Sequence, residues 1–321
     1  MELSEWTLLM YDLLLFLGMA VIYISEAVLL TFVPRRYRAK SIKGEIALIT
    51  GGAGGIGTLI AKKLAKLGAH VVIWDINKTG ESRLILRNGG KCWSYYCDIA
   101  NREEVYKTAK TVQIEVGNVT LLINNAGYVY GRTLLALPDE EIERTYGINI
   151  LSHYWITKAF MRDMMKNNHG HIVTVASVAG LLGTYNCTDY SATKSAAIGY
   201  HESLFSELKV HKYRSSDLTH IGSSFLKKYV TYRLMPMLEP DYVADQVVSG
   251  ILVNQINIVL PGAVRYLLPL KCLLPAKLCW ALMYHIIRGP QSMMMLNKKE
   301  ERQTLTDNNN VTLISKETYA H

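Results

Sequence analysis

The chain has 321 residues, half of them hydrophobic, and a formal net charge of +8 at pH 7. This length and composition exclude a disordered or fibrous protein and predict one large α/β domain with additional segments. The basic residues are dispersed except for a cluster after the apolar N-terminus, so membrane contact explains the charge better than a nucleic-acid partner does. The cysteines are odd in number and form no CxxC pair, which predicts reduced thiols and neither a disulfide framework nor a zinc site.

Residues 1–43 are predicted to form a hydrophobic membrane anchor and a basic linker. The chain is apolar from Trp6 to Val33 apart from Asp12 and Glu26, and "PRRYRAKSIK" follows. The apolar run is long enough to cross a bilayer, but its uncharged part is short, so an interfacial or hairpin anchor stays open beside a spanning helix. A cleaved signal peptide fits less well, because acidic residues precede the run. The basic residues after the run place the rest of the chain in the cytosol.

Residues 44–262 are predicted to form a Rossmann-like, doubly wound parallel sheet, because short β-branched apolar runs alternate with longer amphipathic ones. The sequence predicts a short strand at "NIVLP" and earlier strands at 45–50, 70–75, 91–98, 119–125 and 171–177. The segment 209–235 is atypical. It shows no clear apolar strand where this fold needs a central one, so we expect the sheet there to be altered or to lack that strand.

Two further segments are predicted after this domain. Residues 263–296 are apolar and basic and are interrupted by Pro269 and Pro275, so we expect them to lie on a membrane or over an apolar substrate entrance rather than to cross a bilayer. Residues 297–321 form a polar tail.

The strongest single motif is "TGGAGGIG", residues 50–57, which lies between the first predicted strand and a helix. Its glycines let the backbone approach a pyrophosphate, and the helix N-terminus presents N–H groups and partial positive charge to that anion. Asp75 ends the second strand, where a carboxylate accepts hydrogen bonds from ribose hydroxyls and repels a 2′-phosphate. Because no Lys or Arg lies in the glycine loop, the sequence favours NAD over NADP.

These motifs, with "NNAG" at residues 124–127 and "YSATK" at 190–194, resemble the classical short-chain dehydrogenase/reductase family over roughly residues 44–260. The resemblance implies a catalytic set of Asn149, Ser177, Tyr190 and Lys194. It also implies a cofactor-binding set of Gly51, Gly55, Ile56, Gly57, Asp75, Asp98, Asn125, Tyr190 and Lys194, and no metal. Family members usually form homodimers, which would here pair through residues 139–166 and 191–208.

The stretches "IWDINKTG", "NILSHYWITKAF" and "NNHGHIVTVAS" narrow the resemblance to a membrane-bound branch that includes epidermal retinol dehydrogenases and microsomal 17β-hydroxysteroid dehydrogenases. Members act on retinoids, steroids or other lipid alcohols at the endoplasmic reticulum or on lipid droplets. The resemblance implies an NAD-dependent oxidoreductase for a lipophilic alcohol, with its catalytic domain in the cytosol. The alternative is a catalytically inactive membrane-associated relative, because residues 209–235 depart from the family's Pro-containing loop.

The expected mechanism starts from the phenol of Tyr190, whose ordinary pKa of about 10 makes it a weak base near neutrality. An ammonium about 4 Å away and an oxidised nicotinamide would together lower that pKa. Ser177 would bind the substrate oxygen, and Asn149 would hold a water that links Lys194 to solvent. Four Asn-x-Ser/Thr sequons, at Asn77, Asn118, Asn186 and Asn310, are interpreted as chance occurrences in a cytosolic domain.

Overall fold

The computed structural model describes residues 3–77, 90–210, 216–223 and 238–287. The described chain divides into two compact units, residues 1–41 and 42–321. The parts of the atypical segment at 211–215 and 224–235, residues 288–296 and the predicted tail at 297–321 lie outside the described residues.

The first unit contains one long helix, α1, from Leu3 to Phe32. A straight α-helix of its 30 residues is about 45 Å long, so it exceeds the thickness of a bilayer's hydrocarbon core. By length and composition, Glu5–Phe32 can cross a membrane. The helix runs without a break, so the chain does not fold back on itself within these residues. A short 3-10 turn at Arg35–Tyr37 follows.

The second unit is built on a seven-stranded sheet in the order β3-β2-β1-β4-β5-β6-β7, in which every neighbouring pair is parallel. The strands are β1 (Ile46–Thr50), β2 (His70–Asp75), β3 (Cys92–Tyr96), β4 (Leu121–Asn124), β5 (Gly170–Ser177), β6 (Ser216–Ser223) and β7 (Asn257–Leu260). The strand order reverses between β1 and β4, and ligands of doubly wound sheets bind at the carboxyl ends of the strands at such a point. The predicted fold class is confirmed.

The atypical segment contains a central strand, so of the two possibilities left open by the sequence, an altered strand and a lost one, the structure has the altered strand. Strand β6 pairs with β5 over eight residues, from Gly170 opposite Ser216 to Ser177 opposite Ser223, and its second half pairs with β7. The sequence "SDLTHIGS" has few apolar residues, so its pattern does not indicate a central strand. Pairing with neighbours on both sides overrides that weak local preference, as strand propensity depends strongly on context.

Helices cover both faces of the sheet. They are α2 (Gly55–Lys66), α3 (Arg102–Glu115), α4 (Asp139–Tyr146), α5 (Ser152–Lys166), α6 (Thr188–Val210), α7 (Pro240–Leu252), α8 (Val264–Leu273) and α9 (Ala276–Ala281). Between α4 and α5, a π-helical turn at Gly147–Leu151 interrupts the regular α-helical geometry. A second π-helical turn, Leu282–Ile287, follows α9.

The core consists of two apolar layers, one on each face of the sheet. Ala47 and Ile49 of β1 face the layer that contains α2 and α7, whereas Leu48 faces the layer that contains α3 and α5. This alternation follows from the two-residue period of a strand, and central strands of parallel sheets are buried on both faces. Full burial of each large side chain contributes about 1.5–3 kcal/mol, so the two layers hold the carboxyl ends of the strands in a fixed arrangement.

Candidate active site

The glycine loop after β1 has a backbone that side chains would not permit. Gly51 and Gly55 have φ values of +64° and +50°, in the left-handed region that favours glycine. A Cβ atom on Gly57 would collide with the carbonyl oxygen of Gly51, whereas a Cβ on Gly54 would meet no atom within 4 Å. The loop therefore presents an open backbone surface at the N-terminus of α2, which fits the pyrophosphate of a dinucleotide. Ile56 starts the same helix and packs against the core.

Asn125 ties the glycine loop to the end of β4. Its side-chain amide donates to the carbonyl oxygens of Thr50 (2.9 Å) and Gly51 (3.3 Å), and the Thr50 hydroxyl accepts from the backbone N–H groups of Asn125 (3.0 Å) and Ala126 (3.1 Å). This predicted cofactor-binding residue thus uses its amide to hold the loop that cradles the cofactor. The two loops meet at the topological switch point.

Asp75 ends β2 beside the glycine loop, as the sequence predicts for a ribose-binding carboxylate. One carboxylate oxygen accepts from the backbone N–H of Ala53 (3.0 Å) and the other from that of Asn77 (2.9 Å). Each oxygen keeps a lone pair for a further donor. Asp98 accepts from the backbone N–H of Ala100 at 3.0 Å in the turn after β3. The residues of this cleft accordingly fit a nicotinamide dinucleotide.

The predicted catalytic side chains come from three separate elements. Ser177 is the last residue of β5, Tyr190 and Lys194 lie one turn apart on α6, and Asn149 lies in the π-helical turn. The Ser177 hydroxyl forms a hydrogen bond with Tyr190, and the Lys194 Nζ lies 5.7 Å from the Tyr190 ring centroid. All four side chains therefore converge at the carboxyl end of β5. The glycine loop lies at the same edge of the sheet, since it follows the carboxyl end of β1.

Lys194 is a buried cation, with 2% of its surface exposed. Its ammonium donates to the carbonyl oxygen of Val175 at 2.9 Å, which leaves two N–H groups for other partners. Burial lowers the pKa of Lys194 to about 8. The ammonium form therefore still predominates at neutral pH.

Tyr190 differs from the expectation that its lysine neighbour lowers its pKa. Burial raises the pKa of Tyr190 to about 12, while the hydrogen bond from Ser177 acts in the opposite direction. The cost of desolvating the phenolate thus exceeds the stabilisation that neighbouring groups of the protein give it. A further positive charge is needed before this phenol can act as a base near neutrality.

Asn149 has its side-chain amide almost fully used. The amide nitrogen donates to the carbonyl oxygen of Tyr128 (2.8 Å) and to the hydroxyl of Thr193 (3.1 Å), and its oxygen accepts from the Tyr128 N–H (2.7 Å). Only one lone pair on that oxygen is left for a water. A Cβ atom on Gly127 would lie 3.5 Å from the Lys194 Nζ and 3.7 Å from the Asn149 oxygen, so Gly127 keeps the space between them clear.

Several residues around the catalytic set were not predicted. The Thr193 hydroxyl accepts a hydrogen bond from the Asn149 amide and donates one to the carbonyl oxygen of Tyr190 (2.8 Å). The Thr145 hydroxyl donates to the buried carboxylate of Asp189 (2.8 Å). Both threonines lie on helices, where a single polar residue does not by itself predict a contact at the site. Their roles depend on contacts between α4, the π-helical turn and α6, which a single sequence does not reveal.

The comparisons with known proteins agree with this geometry. The family model described as short chain dehydrogenase matches residues 45–217. Estradiol 17-beta-dehydrogenase 11 of Homo sapiens is 40% identical over 274 residues, which cover 83% of this chain and 90% of that protein. Epidermal retinol dehydrogenase 2 of Homo sapiens is 38% identical over 276 residues, with 83% and 89% covered.

Solved structures show the same fold. A metagenomic short-chain oxidoreductase in complex with NADP is 27% identical, with a TM-score of 0.60, and 69% of this chain and 98% of that chain are covered. A short-chain dehydrogenase/reductase from Burkholderia phymatum in complex with NAD has 22% identity and a TM-score of 0.66, with 73% and 94% covered, and supports the fold alone. The chain belongs to the short-chain dehydrogenase/reductase family. It is an oxidoreductase that uses a nicotinamide cofactor.

Proposed function

We propose that the chain is an NAD-dependent dehydrogenase that oxidises a lipid alcohol, either a hydroxysteroid or retinol, to the carbonyl compound. The observation that carries the proposal is the convergence of Ser177, Tyr190, Lys194 and Asn149 beside a glycine loop whose neighbouring strand ends in Asp75. The names of the relatives, an estradiol dehydrogenase and a retinol dehydrogenase, support a lipophilic alcohol as the substrate.

The preference for NAD follows from the charge at the end of β2. The Asp75 carboxylate is held against the glycine loop by the Ala53 N–H, and no Lys or Arg occurs from Thr50 to Gly57. Such a carboxylate binds ribose hydroxyls and repels a 2′-phosphate. We expect turnover with NAD to exceed turnover with NADP by at least about tenfold, which corresponds to 1.4 kcal/mol.

In the proposed reaction, Tyr190 takes the hydroxyl proton of the alcohol while Ser177 donates a hydrogen bond to the same oxygen. When bound, the nicotinamide ring supplies the hydride acceptor and a positive charge. That charge would favour the phenolate and so lower the pKa of Tyr190, which burial in the protein raises. Lys194 passes the proton towards solvent through a water held by the remaining lone pair of Asn149.

The proposed location is the endoplasmic reticulum membrane or a lipid droplet, with the second unit facing the cytosol. Helix α1 is long and apolar enough to provide the anchor, and the basic linker after it supports this orientation. A membrane location also suits a substrate that partitions into lipid.

The experiment that tests the proposal measures NADH formation by membranes that contain the full-length protein, given NAD and either all-trans-retinol or a steroid alcohol. We expect turnover that falls by at least about a thousandfold in Tyr190→Phe, because the base is removed. Tyr190→Phe keeps the ring and the packing of α6, so NAD binding by the variant serves as the matched control. Parallel assays with NADP test the cofactor preference.

The inactive alternative makes a different prediction for the same assay. If the atypical segment prevents closure over the cofactor, the protein binds NAD but shows no Tyr190-dependent turnover with any lipid alcohol. The formation of β6 removes one ground for that alternative, since the sheet keeps its central strand.

A further inference from the structure

The helices after β7 expose an unusual amount of apolar surface. On α8, Tyr266 and Leu273 are 78% and 79% exposed, and on α9, Leu278 and Trp280 are 51% and 61% exposed. Val264, at the start of α8, is by contrast fully buried and fixes this segment to the second unit. Four large apolar side chains exposed within fifteen residues of the chain indicate a surface that binds something apolar.

The same segment carries only positive charge. Arg265, Lys271 and Lys277 are exposed, and the sequence contains no Asp or Glu from Gln246 to Lys299. A surface of exposed apolar and basic side chains complements anionic phospholipid, because the apolar side chains can enter the acyl region while each Lys or Arg attracts the anionic headgroups.

Aromatic residues on this segment have the arrangement that suits a membrane interface. The rings of Trp280 and Tyr284 stack with centroids 4.8 Å apart and planes at 14° to each other. Trp and Tyr prefer the headgroup level of a bilayer because each has an apolar ring and a polar tip.

The segment is also tied to the active-site loop. The Lys271 ammonium donates to the carbonyl oxygen of Leu181 at 2.6 Å. Leu181 lies in the loop that joins the Ser177 end of β5 to the start of α6, which carries Tyr190. Lys271 therefore connects α8 directly to the loop between the proposed catalytic serine and tyrosine.

We propose that the exposed apolar and basic face of α8 and α9 binds the surface of a bilayer that contains anionic phospholipid, and that Lys271 holds the active-site loop to this face. The membrane-binding part stands independently of the dehydrogenase reaction. The part that concerns the loop rests on the proposed function. A lipid alcohol would then enter from the bilayer at the loop rather than from water.

Tryptophan fluorescence of the full-length protein in proteoliposomes tests the membrane contact. The difference between the wild-type and Trp280→Phe spectra isolates Trp280 and cancels the signal of Trp6 in α1. We expect phosphatidylcholine brominated on its acyl chains to quench at least about half of this difference signal when phosphatidylserine is also present. The matched control is the Trp155→Phe difference, which reports a partly buried residue on α5 and stays unquenched.

Charge variants separate the apolar from the electrostatic contribution. In Arg265→Gln combined with Lys277→Gln, and in vesicles without phosphatidylserine, the quenching of Trp280 should fall at least about twofold, because the attraction to anionic lipid is lost. Quenching that is independent of both changes would overturn the anionic-lipid part. The proposal would be overturned if brominated lipid did not quench Trp280 and if Trp280 became less accessible to acrylamide as the protein-to-lipid ratio rose. That result would indicate that a second copy of the chain covers this face.

The link to the active site is tested with Lys271→Met, which keeps the aliphatic stem and removes the bond to Leu181. We expect the KM for a lipid alcohol presented in vesicles to rise about fivefold with little change in kcat, and Lys271→Arg to restore it. Faster hydrogen exchange in peptides covering 181–187 should accompany the change. Unaltered KM and exchange would remove the loop from the proposal and leave the membrane contact standing.

Discussion

At the residue scale, the proposed chemistry uses two buried groups, Tyr190 and Lys194, whose pKa values burial shifts in opposite directions. Burial lowers the pKa of Lys194 to about 8 and raises that of Tyr190 to about 12. Both shifts favour the neutral form, as expected when a charged group loses water. Tyr190 is therefore protonated near neutral pH in the protein alone, and in the proposed mechanism the positive charge of the bound cofactor would favour its phenolate.

The pKa of Lys194 predicts how stability depends on pH. Between pH 8 and 10.5 the unfolded chain keeps a proton that the folded chain has released, so the free energy of unfolding rises with pH, by up to about 1.4 kcal/mol per unit. Urea unfolding of the wild type and of Lys194→Met, both without cofactor, at pH values from about 7.5 to about 9.5 measures this contribution to the free energy of unfolding. We expect the difference between the two proteins to change in favour of the wild type as pH rises.

The comparison with Lys194→Met is needed because other groups titrate nearby. Burial raises the pKa values of the Cys92, Cys97 and Cys187 thiols, so their deprotonation in the unfolded chain lowers stability as pH rises. These thiols are shared by both proteins and cancel in the difference. A difference that stays constant with pH would show that the lysine retains its ordinary pKa in the folded protein.

The sequence motifs predicted which side chains lie together at the proposed site, because the types and spacing of these residues follow from the chemistry they would perform. Gly57 has to be glycine to avoid the Gly51 carbonyl, and Tyr190 and Lys194 are neighbours on any helix. The supporting contacts of Asn149 were not predictable, because Tyr128 and Thr193 approach it from distant parts of the chain. No sequence pattern around Tyr128 or Thr193 predicts their hydrogen bonds with Asn149.

At the element scale, the alternating pattern predicted the strands on which it is strong and failed where tertiary pairing dominates. The β1 and β2 runs are apolar except at their ends and lie where the sequence predicts. Strand β6 has a polar sequence and is a strand because β5 and β7 supply hydrogen-bond partners. The π-helical turn was equally hidden, since helical periodicity continues through Gly147–Leu151.

The pairing of β6 predicts its rate of amide hydrogen exchange. We expect peptides from 216–223 to exchange slowly, close to those of β5, because their N–H groups are bonded within the sheet. Residues 220–223 pair on both sides and should exchange more slowly than 216–219, which pair with β5 alone. Mass spectrometry of the full-length protein in detergent, with the β5 peptides as internal reference, measures this. Exchange at the rate of an unstructured peptide would instead support the inactive alternative.

At the scale of the whole molecule, the charges that flank α1 and the positions of the sequons both bear on the proposed membrane topology. Glu2 precedes α1 and Glu5 lies in its first turn, whereas basic residues follow the helix, which supports the proposed cytosolic second unit. The sequons agree with this arrangement. Asn186 is 4% exposed and its backbone has a φ of +61°, so a folded second unit has no room for a glycan there, whereas Asn118 is exposed.

This contrast makes Asn118 a reporter of topology. In cells, the full-length chain should carry no glycan, so endoglycosidase treatment should leave its gel mobility unchanged, and protease added to intact microsomes should cut the second unit. The control reverses the flanking charges by Glu2→Lys and Glu5→Lys with Arg35→Glu, Arg36→Glu and Arg38→Glu. If this charge difference sets the orientation, the reversed chain should acquire glycans, and Asn118→Gln should remove one of them, because the sequons at Asn77 and Asn310 remain. A glycan on the unaltered chain would place the active site in the lumen, where the supply of NAD and of lipid alcohol differs.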